Sequence, residues 1–377
     1  VRATAADDGE LLLIPGPVSV EPEVLAELAR PVRPHYGADW ANDYRRIAQA
    51  SGRVFCSESP AILLFGPGMA AVEAAIASSL APGDEILIPA NGMFGDRMVE
   101  VARTAGLVVH TGARSALAAP IDVAEVERTL RAHPQIRALA VVHHETMLGL
   151  MNPLSELCSL ARERDLLMIV DAISSIGGVE VRFDDWGIDV GVTVGNKCLG
   201  GPVGIAPIVV GPRAWEAILD GREKRAGWYL DLRTWRNAEE ELGDWHPHPT
   251  TMPASVVDAL GVAIDDVLST GLEVHRERSA LAARRVRAAL RELGIELLVP
   301  DEHAAPMTTA ALAPAWMDVG HYIAWLREKH ALRIAGAMGE LEGKVFRVGH
   351  MARAASPEVV DAYLEATTAY VERHRSA

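Results

Sequence analysis

Residues 166–204 read LLMIVDAISSIGGVEVRFDDWGIDVGVTVGNKCLGGPVG, and this stretch decides the fold. It holds two short apolar runs, Leu167–Val170 and Val190–Val194. The first is apolar throughout and the second carries Val190, Val192 and Val194 with Gly191 and Thr193 between them, and polar residues follow each, Asp171 after the first and Asn196-Lys197 after the second. Continuous apolar runs of this length are what strands buried on both faces require. Working outward, similar runs recur at Ile62–Phe65, Glu85–Ile88, Leu107–His110, Ala138–Val142 and Ile205–Val210. Between them lie amphipathic stretches, Ala70–Leu80, Gly95–Ala105, Val123–Ala132 and Leu154–Arg164. Strands alternating with helices predict an α/β fold with a mainly parallel seven-stranded sheet covered on both faces. Ligands bind such sheets at the carboxyl ends of the strands. His143, His144 and Glu145 follow one strand-like run directly, as Asp171 and Lys197 follow theirs.

After Pro212 the pattern changes. Two long helices are expected at Ala254–Ser269 and Leu272–Leu293, then a shorter αβ region with strands at Ile295–Val299, Met307–Leu312 and Val345–Val348 and helices at Asp318–Glu328 and Pro357–His374. This predicts an N-terminal arm over residues 1–20, a large domain over 21–250 and a smaller C-terminal α/β domain over 251–377. The segment Leu11–Ala50, rich in Pro and Gly at its start, is expected to pack beside the smaller domain.

Charge narrows the function. The 36 basic and 51 acidic residues give a net charge of −15, and no dense basic block is present. A nucleic-acid reader needs a basic face, so that class loses ground. The cysteines Cys56, Cys158 and Cys198 fit no disulfide framework or metal spacing. The opening VRATAADDGE has no apolar signal core, and no apolar run approaches membrane-span length. The expectation is a soluble, cytoplasmic protein.

Three segments carry chemistry. In TVGNKCLGGPVG (193–204), Lys197 sits at a strand end among glycines that let the backbone approach a bound group. A lysine amine becomes a Schiff-base nucleophile when burial depresses its pKa; read alone, the segment fits a turn lysine equally well. In LLMIVDAISSIGG (166–178), Asp171 can face a cleft and keep a pyridine nitrogen protonated, or simply form a strand-end hydrogen bond. In LLFGPGMAAVEAAI (63–76), a strand turns through Gly66-Pro67-Gly68 into a helix whose free N–H groups suit a phosphate. It is neither a Walker sequence nor a full dinucleotide fingerprint. His143 and His144 have no third ligand at metal spacing and read as strand-end histidines, so no metal site is expected.

In this order and spacing, the segments resemble the class V, fold-type I aminotransferases of the alanine–glyoxylate/serine–pyruvate group. The likeness extends to LLLIPGPVSVEPEVLAELARP (11–31), ANGMFGDRMVEVARTAG (90–106), HHETMLGLMNPL (143–154) and GKVFRVGHM (343–351). It implies pyridoxal 5'-phosphate (PLP) as cofactor, with Lys197 as Schiff-base lysine and proton shuttle and Asp171 on the pyridine nitrogen. It further implies that Phe94 stacks on the ring and Thr146 bonds near its phenolic oxygen. Gly68, Met69 and Ala70 would offer backbone N–H groups to the phosphate, with Asn196 close by. Thr251, in HPTTMP, would reach the phosphate of a neighbouring subunit, making a homodimer, and Arg347 would clamp a substrate carboxylate. Phe94 read alone fits a core position, and Thr251 a helix cap ahead of Pro253.

The chain departs from that pattern. Met69 stands where relatives commonly carry Thr, Ser or His, and Met147 and Leu148 intervene before Gly149. A more apolar cleft is expected. Tyr36, with the HHET and NKCLG segments, looks closest to pyridoxamine–pyruvate aminotransferases, placing Tyr36 and His144 among the substrate-binding candidates. The glutamate and second arginine of those enzymes are replaced by Pro67 and Met338. The implied reaction moves an amino group from an amino acid or amine to a small 2-oxo acid such as pyruvate or glyoxylate. A PLP-dependent lyase or decarboxylating enzyme acting on an amino-acid conjugate is the rival, and a non-catalytic binding protein on the same fold is a third reading.

Overall fold

The structure is a computed structural model that describes residues 9–375. Its centre is a seven-stranded sheet of β1 (Ala61–Phe65), β2 (Glu85–Leu87), β3 (Val108–His110), β4 (Ile136–Val142), β5 (Leu167–Asp171), β6 (Val190–Val192) and β7 (Ile205–Val210). The spatial order is β1-β7-β6-β5-β4-β2-β3. β7 runs antiparallel to both of its neighbours, and every other pairing is parallel. All seven expected strands form. β4 starts earlier than its apolar run because Ile136 still pairs with Glu85 of β2, with Arg137 passed over at a register shift, and β6 stops at Val192. β5 and β7 are buried along their whole length, whereas the edge strand β3 is partly exposed, as the apolar patterning requires.

β1, β4, β5 and β6 run in the same direction, so their carboxyl ends line one edge of the sheet. From that edge emerge Gly66–Gly68, His143–Thr146, Asp171 and Asn196-Lys197. Helices of the large unit cover both faces. Among them are α1 (Ala38–Val54), α2 (Gly68–Ser79), α3 (Met93–Thr104) and α4 (Ala254–Thr270).

A second antiparallel sheet consists of β8 (Thr308–Leu312), β9 (Ala335–Gly336) and β10 (Val345–Gly349), in the order β8-β10-β9. Alternation along β10 sends Phe346 and Val348 into the smaller apolar cluster with Tyr322 and Tyr363. Val345 and Arg347 therefore take the opposite face, where Val345 packs with Met147.

Two expectations are corrected. Ile295–Val299 forms no strand; only Leu297 bridges Ala311. The segment Leu11–Ala50 divides. Leu11–Leu12 pairs with Leu332–Arg333 and Leu13 enters the smaller cluster, but Trp40, Tyr44 and Ile47 of α1 lie in the large core. Their one-face spacing along α1 drives this burial. Val257, Leu260 and Ile264 of α4 also join the large core, so we propose a division near the Gly271 turn rather than at residue 251. No helix among the described residues is long and apolar enough to cross a membrane.

Candidate active site

Lys197 lies in the turn after β6. Its Nζ donates to the carbonyl of Pro15, at the start of the Pro15-Gly16-Pro17 loop. Gly16 has φ +96°, and a Cβ there would meet Lys197 Cδ, Cε and Nζ, the last at 2.7 Å. A glycine is therefore required both by the backbone and by the close approach. Burial lowers the Lys197 pKa to about 8; Cys198 and Asp171 oppose the shift and Arg347 adds to it.

Asp171 is the last residue of β5 and 5% exposed. Its Oδ1 accepts from the Ile173 N–H at 3.0 Å. Burial raises its carboxyl to about 6, against that hydrogen bond and the charge of Lys197. Ile173 continues to the next element: its Cδ1 and the Cγ1 of Val194 fill the space where a Cβ on Gly68 would sit. The start of α2 is thus wedged between the aspartate and lysine segments. Pro67 occupies the cap position and no side chain caps that end, so its N–H groups face the same edge as Lys197. Met69 and Ala70 follow in the first turn, and the Ala70 N–H bonds back to Pro67.

The segment after β4 folds back as a short hairpin, His144–Glu145 against Leu150–Met151. Glu145 is fully buried and its Oε2 accepts from Phe94 N–H at 3.0 Å and Gly95 N–H at 3.4 Å. It thereby caps α3 and fixes Phe94. Burial pushes the Glu145 carboxyl up to about 7 despite these donors. His144 Nδ1 bonds the Ser174 carbonyl at 2.9 Å, while its buried Nε2 has no partner. Burial, reinforced by the Lys197 charge, lowers His144 to about 3, so the ring is neutral.

Arg347 is 9% exposed and reaches this edge from β10. Its Nε and Nη2 donate to Gly336 O at 2.9 and 2.7 Å, and its Nη1 donates to Thr146 O at 3.1 Å. Among the described residues no carboxylate forms a salt bridge with it. Burial lowers its pKa to about 10, opposed by Glu145. A buried cation held only by carbonyls retains capacity for an anion.

The edge therefore gathers Lys197, Asp171, Gly68, Met69, Ala70, Phe94, His144, Thr146 and Arg347, with Asn196 preceding Lys197 in the same turn. Tyr36 and Thr251 are not drawn into this group within the chain. Tyr36 is 49% exposed and its ring contacts are His35 and Trp245; Thr251 is exposed. Leu148 fills a core cluster with Ala118, Leu150 and Val299 rather than joining Met147 against Val345, because both lie in the turn of the hairpin between Glu145 and Leu150. Met338, 49% exposed, follows the loop from Gly336. Pro15 and Gly16 had drawn no site assignment from the sequence; the signal available was the Pro-Gly-Pro run itself.

Residues 60–353 match the family described as Aminotransferase class-V. The chain belongs to that family. This class-V aminotransferase is 35% identical over 365 residues to an uncharacterized aminotransferase of Methanocaldococcus jannaschii, covering 96% of this chain and 92% of that one. It is 31% identical to a pyridoxamine–pyruvate transaminase of Mesorhizobium japonicum, covering 93% and 88%. A crystal structure of an alanine–glyoxylate aminotransferase from Nostoc sp. superposes with a TM-score of 0.90 at 31% identity, covering 96% of this chain and 94% of that one. The fold-type I architecture expected from the sequence is therefore the architecture of this aminotransferase.

Proposed function

We propose that this class-V aminotransferase uses PLP to move an amino group from an amino acid or amine to a small 2-oxo acid such as pyruvate or glyoxylate. One observation carries the reading: a buried lysine amine with a depressed pKa lies at the strand edge that also presents a buried aspartate and an uncapped helix start. The donor set fits the cofactor, since an amine suits its carbonyl, a carboxylate its pyridine nitrogen and free helix N–H groups its phosphate.

When bound, the cofactor supplies an electron sink for the bond broken at the substrate's Cα. The protein's residues do the rest. Lys197 would hold the cofactor at its carbonyl carbon through Nζ, and the same amine would accept and return the proton at the substrate's Cα. Its pKa near 8 keeps a useful fraction unprotonated near neutrality. Asp171 holds a proton on the ring nitrogen by charge. Gly68 and Met69 would hold the phosphate through their backbone N–H groups, with Asn196 beside them and Ala70 joining by exchanging its bond to Pro67 O, and Thr146 would orient the ring's oxygen side. Phe94, fixed by Glu145, provides a flat face, and Arg347 orients the substrate carboxylate through N–H groups not spent on Gly336 and Thr146. The neutral His144 offers Nε2 as an acceptor to substrate.

Tyr36, Trp245 and Thr251 are exposed, and the Tyr36 and Trp245 rings adjoin the partly buried His35 and His246. That supports a homodimer in which Tyr36 and Thr251 complete the partner's site. Unpaired Cys56, Cys158 and Cys198 accord with a cytoplasmic setting.

The likeness to a pyridoxamine–pyruvate transaminase supports a second reading, in which the unphosphorylated ring is itself substrate. The uncharged Pro67 at the start of α2 favours a phosphate there and hence the first reading. The test is incubation of the PLP-loaded protein with an amino-donor panel and pyruvate or glyoxylate. Stoichiometric alanine or glycine is expected; release of ammonia or CO2 without them would assign a lyase or decarboxylase instead.

A further inference from the structure

The amino-transfer site makes no use of a cluster at the far edge of the large sheet. Glu85 opens β2 and pairs in register with Val108 of β3, the edge strand. His110 lies two residues beyond Val108, so strand alternation puts it on the same face as Glu85. His133 ends the helix Val123–Ala132 as its C-cap. One ligand atom from each of Glu85, His110 and His133 lies within 4.8 Å of the others. Glu85 Oε2 is 2.6 Å from His110 Nε2, and the His110 and His133 ring centroids are 4.1 Å apart.

Two imidazoles and one carboxylate are a donor set for a borderline divalent ion. Such an ion, about 2.0–2.2 Å from each donor, holds the donors roughly 3.2–3.6 Å apart. The Glu85–His110 pair would open from 2.6 Å and the other donor distances, at most 4.8 Å, would close by side-chain rotation, for which the three partly buried residues leave room. The local field also suits a cation. A helix C-terminus presents partial negative charge at His133. Of the nearby cations, Arg131 is paired with Glu127 at 2.6 Å and Arg137 lies 3.8 Å from Asp84.

We propose that Glu85, His110 and His133 form a divalent transition-metal site of the Zn2+ class. The ion clips the edge strand β3 to the end of the helix Val123–Ala132. Edge strands are exposed pairing templates, and a metal clip restrains this one.

The test is calorimetric titration of the chelator-treated, full-length protein with Zn2+, with Mg2+ as control. One saturable Zn2+ equivalent per chain is expected, with no Mg2+ heat. His133→Ala and Glu85→Gln should each weaken Zn2+ binding by about tenfold or more. His35→Ala tests the separate cluster of His35, His246 and His248 and should leave binding unchanged. Far-ultraviolet circular dichroism of each variant checks that it folds. Absence of a saturable site in the wild type, or equal affinity in wild type and folded His133→Ala, would overturn the proposal.

Discussion

Arg347 Nη1 lies 3.1 Å from the carbonyl oxygen of Thr146, a bond that joins the small antiparallel sheet to the segment following β4. The same guanidinium holds Gly336 O through Nε and Nη2. It is thus fixed in plane from two sides, with an edge left for a planar anion. Arg347→Lys keeps the charge but loses the fork. The expected effect is a loss of about 1.5–3 kcal/mol in substrate binding, roughly 10- to 150-fold in KM for the amino acid. Steady-state kinetics check this, and an unchanged KM would remove the carboxylate role.

Gly16 shares the space of the Lys197 side chain. Gly16→Ala places a methyl against Nζ and imposes a left-handed φ on a residue with a Cβ, a conformation that costs roughly 1–2 kcal/mol. The lysine must move to relieve the contact. At least a tenfold fall in kcat is expected, with a modest drop in Tm; wild-type kcat in the variant would show that Pro15 and Gly16 do not position the amine.

Asp171 gives a pH signature in the cofactor-free protein. Its folded pKa of about 6 lies above the ordinary carboxyl value of 3.8. The stability linked to it is therefore full below the unfolded pKa and is lost as pH rises through about 6. Above that window the buried carboxylate costs roughly 3 kcal/mol. Asp171→Asn removes the ionisation. Denaturant unfolding should find the cofactor-free variant more stable than wild type near neutrality, with the gap closing toward about pH 4. Its transamination rate should fall by about 100-fold or more, since an amide cannot hold the ring proton by charge. A variant less stable at neutral pH would contradict the burial argument.

Glu145 is predicted to act on the site through structure. It accepts the Phe94 and Gly95 amides and packs closely on Gly92. Glu145→Ala leaves those amides without their cap, and about 1–2 kcal/mol of stability should go with it. Thermal unfolding measures this; an unchanged Tm would place the carboxylate outside the capping role.

The sequence was most legible where burial imposes a local pattern. The apolar runs ending at Asp171 and leading to Lys197 marked β5 and β6, and the Gly66-Pro67-Gly68 turn marked the start of α2. Residues that meet only through the fold were not legible. Pro15 and Lys197 are 182 positions apart, and nothing local to either implies the contact. α1 carries its apolar face toward α4, far along the chain, so a Pro- and Gly-rich approach disguised a core helix as part of an arm. Leu148 and Met147 differ in destination because a hairpin turns between them, which composition does not report. Glu85, His110 and His133 come from three elements and form no sequence motif.

The central claim is that Lys197 is the amine that bonds the cofactor, and borohydride reduction of the PLP-loaded protein followed by peptide mass mapping tests it most directly. The account predicts a single phosphopyridoxyl adduct on Lys197, appearing more readily as pH rises through about 8, with no adduct and no visible absorbance band in a folded Lys197→Ala variant. A stable adduct on another lysine, or a wild-type band that survives in Lys197→Ala, would contradict it.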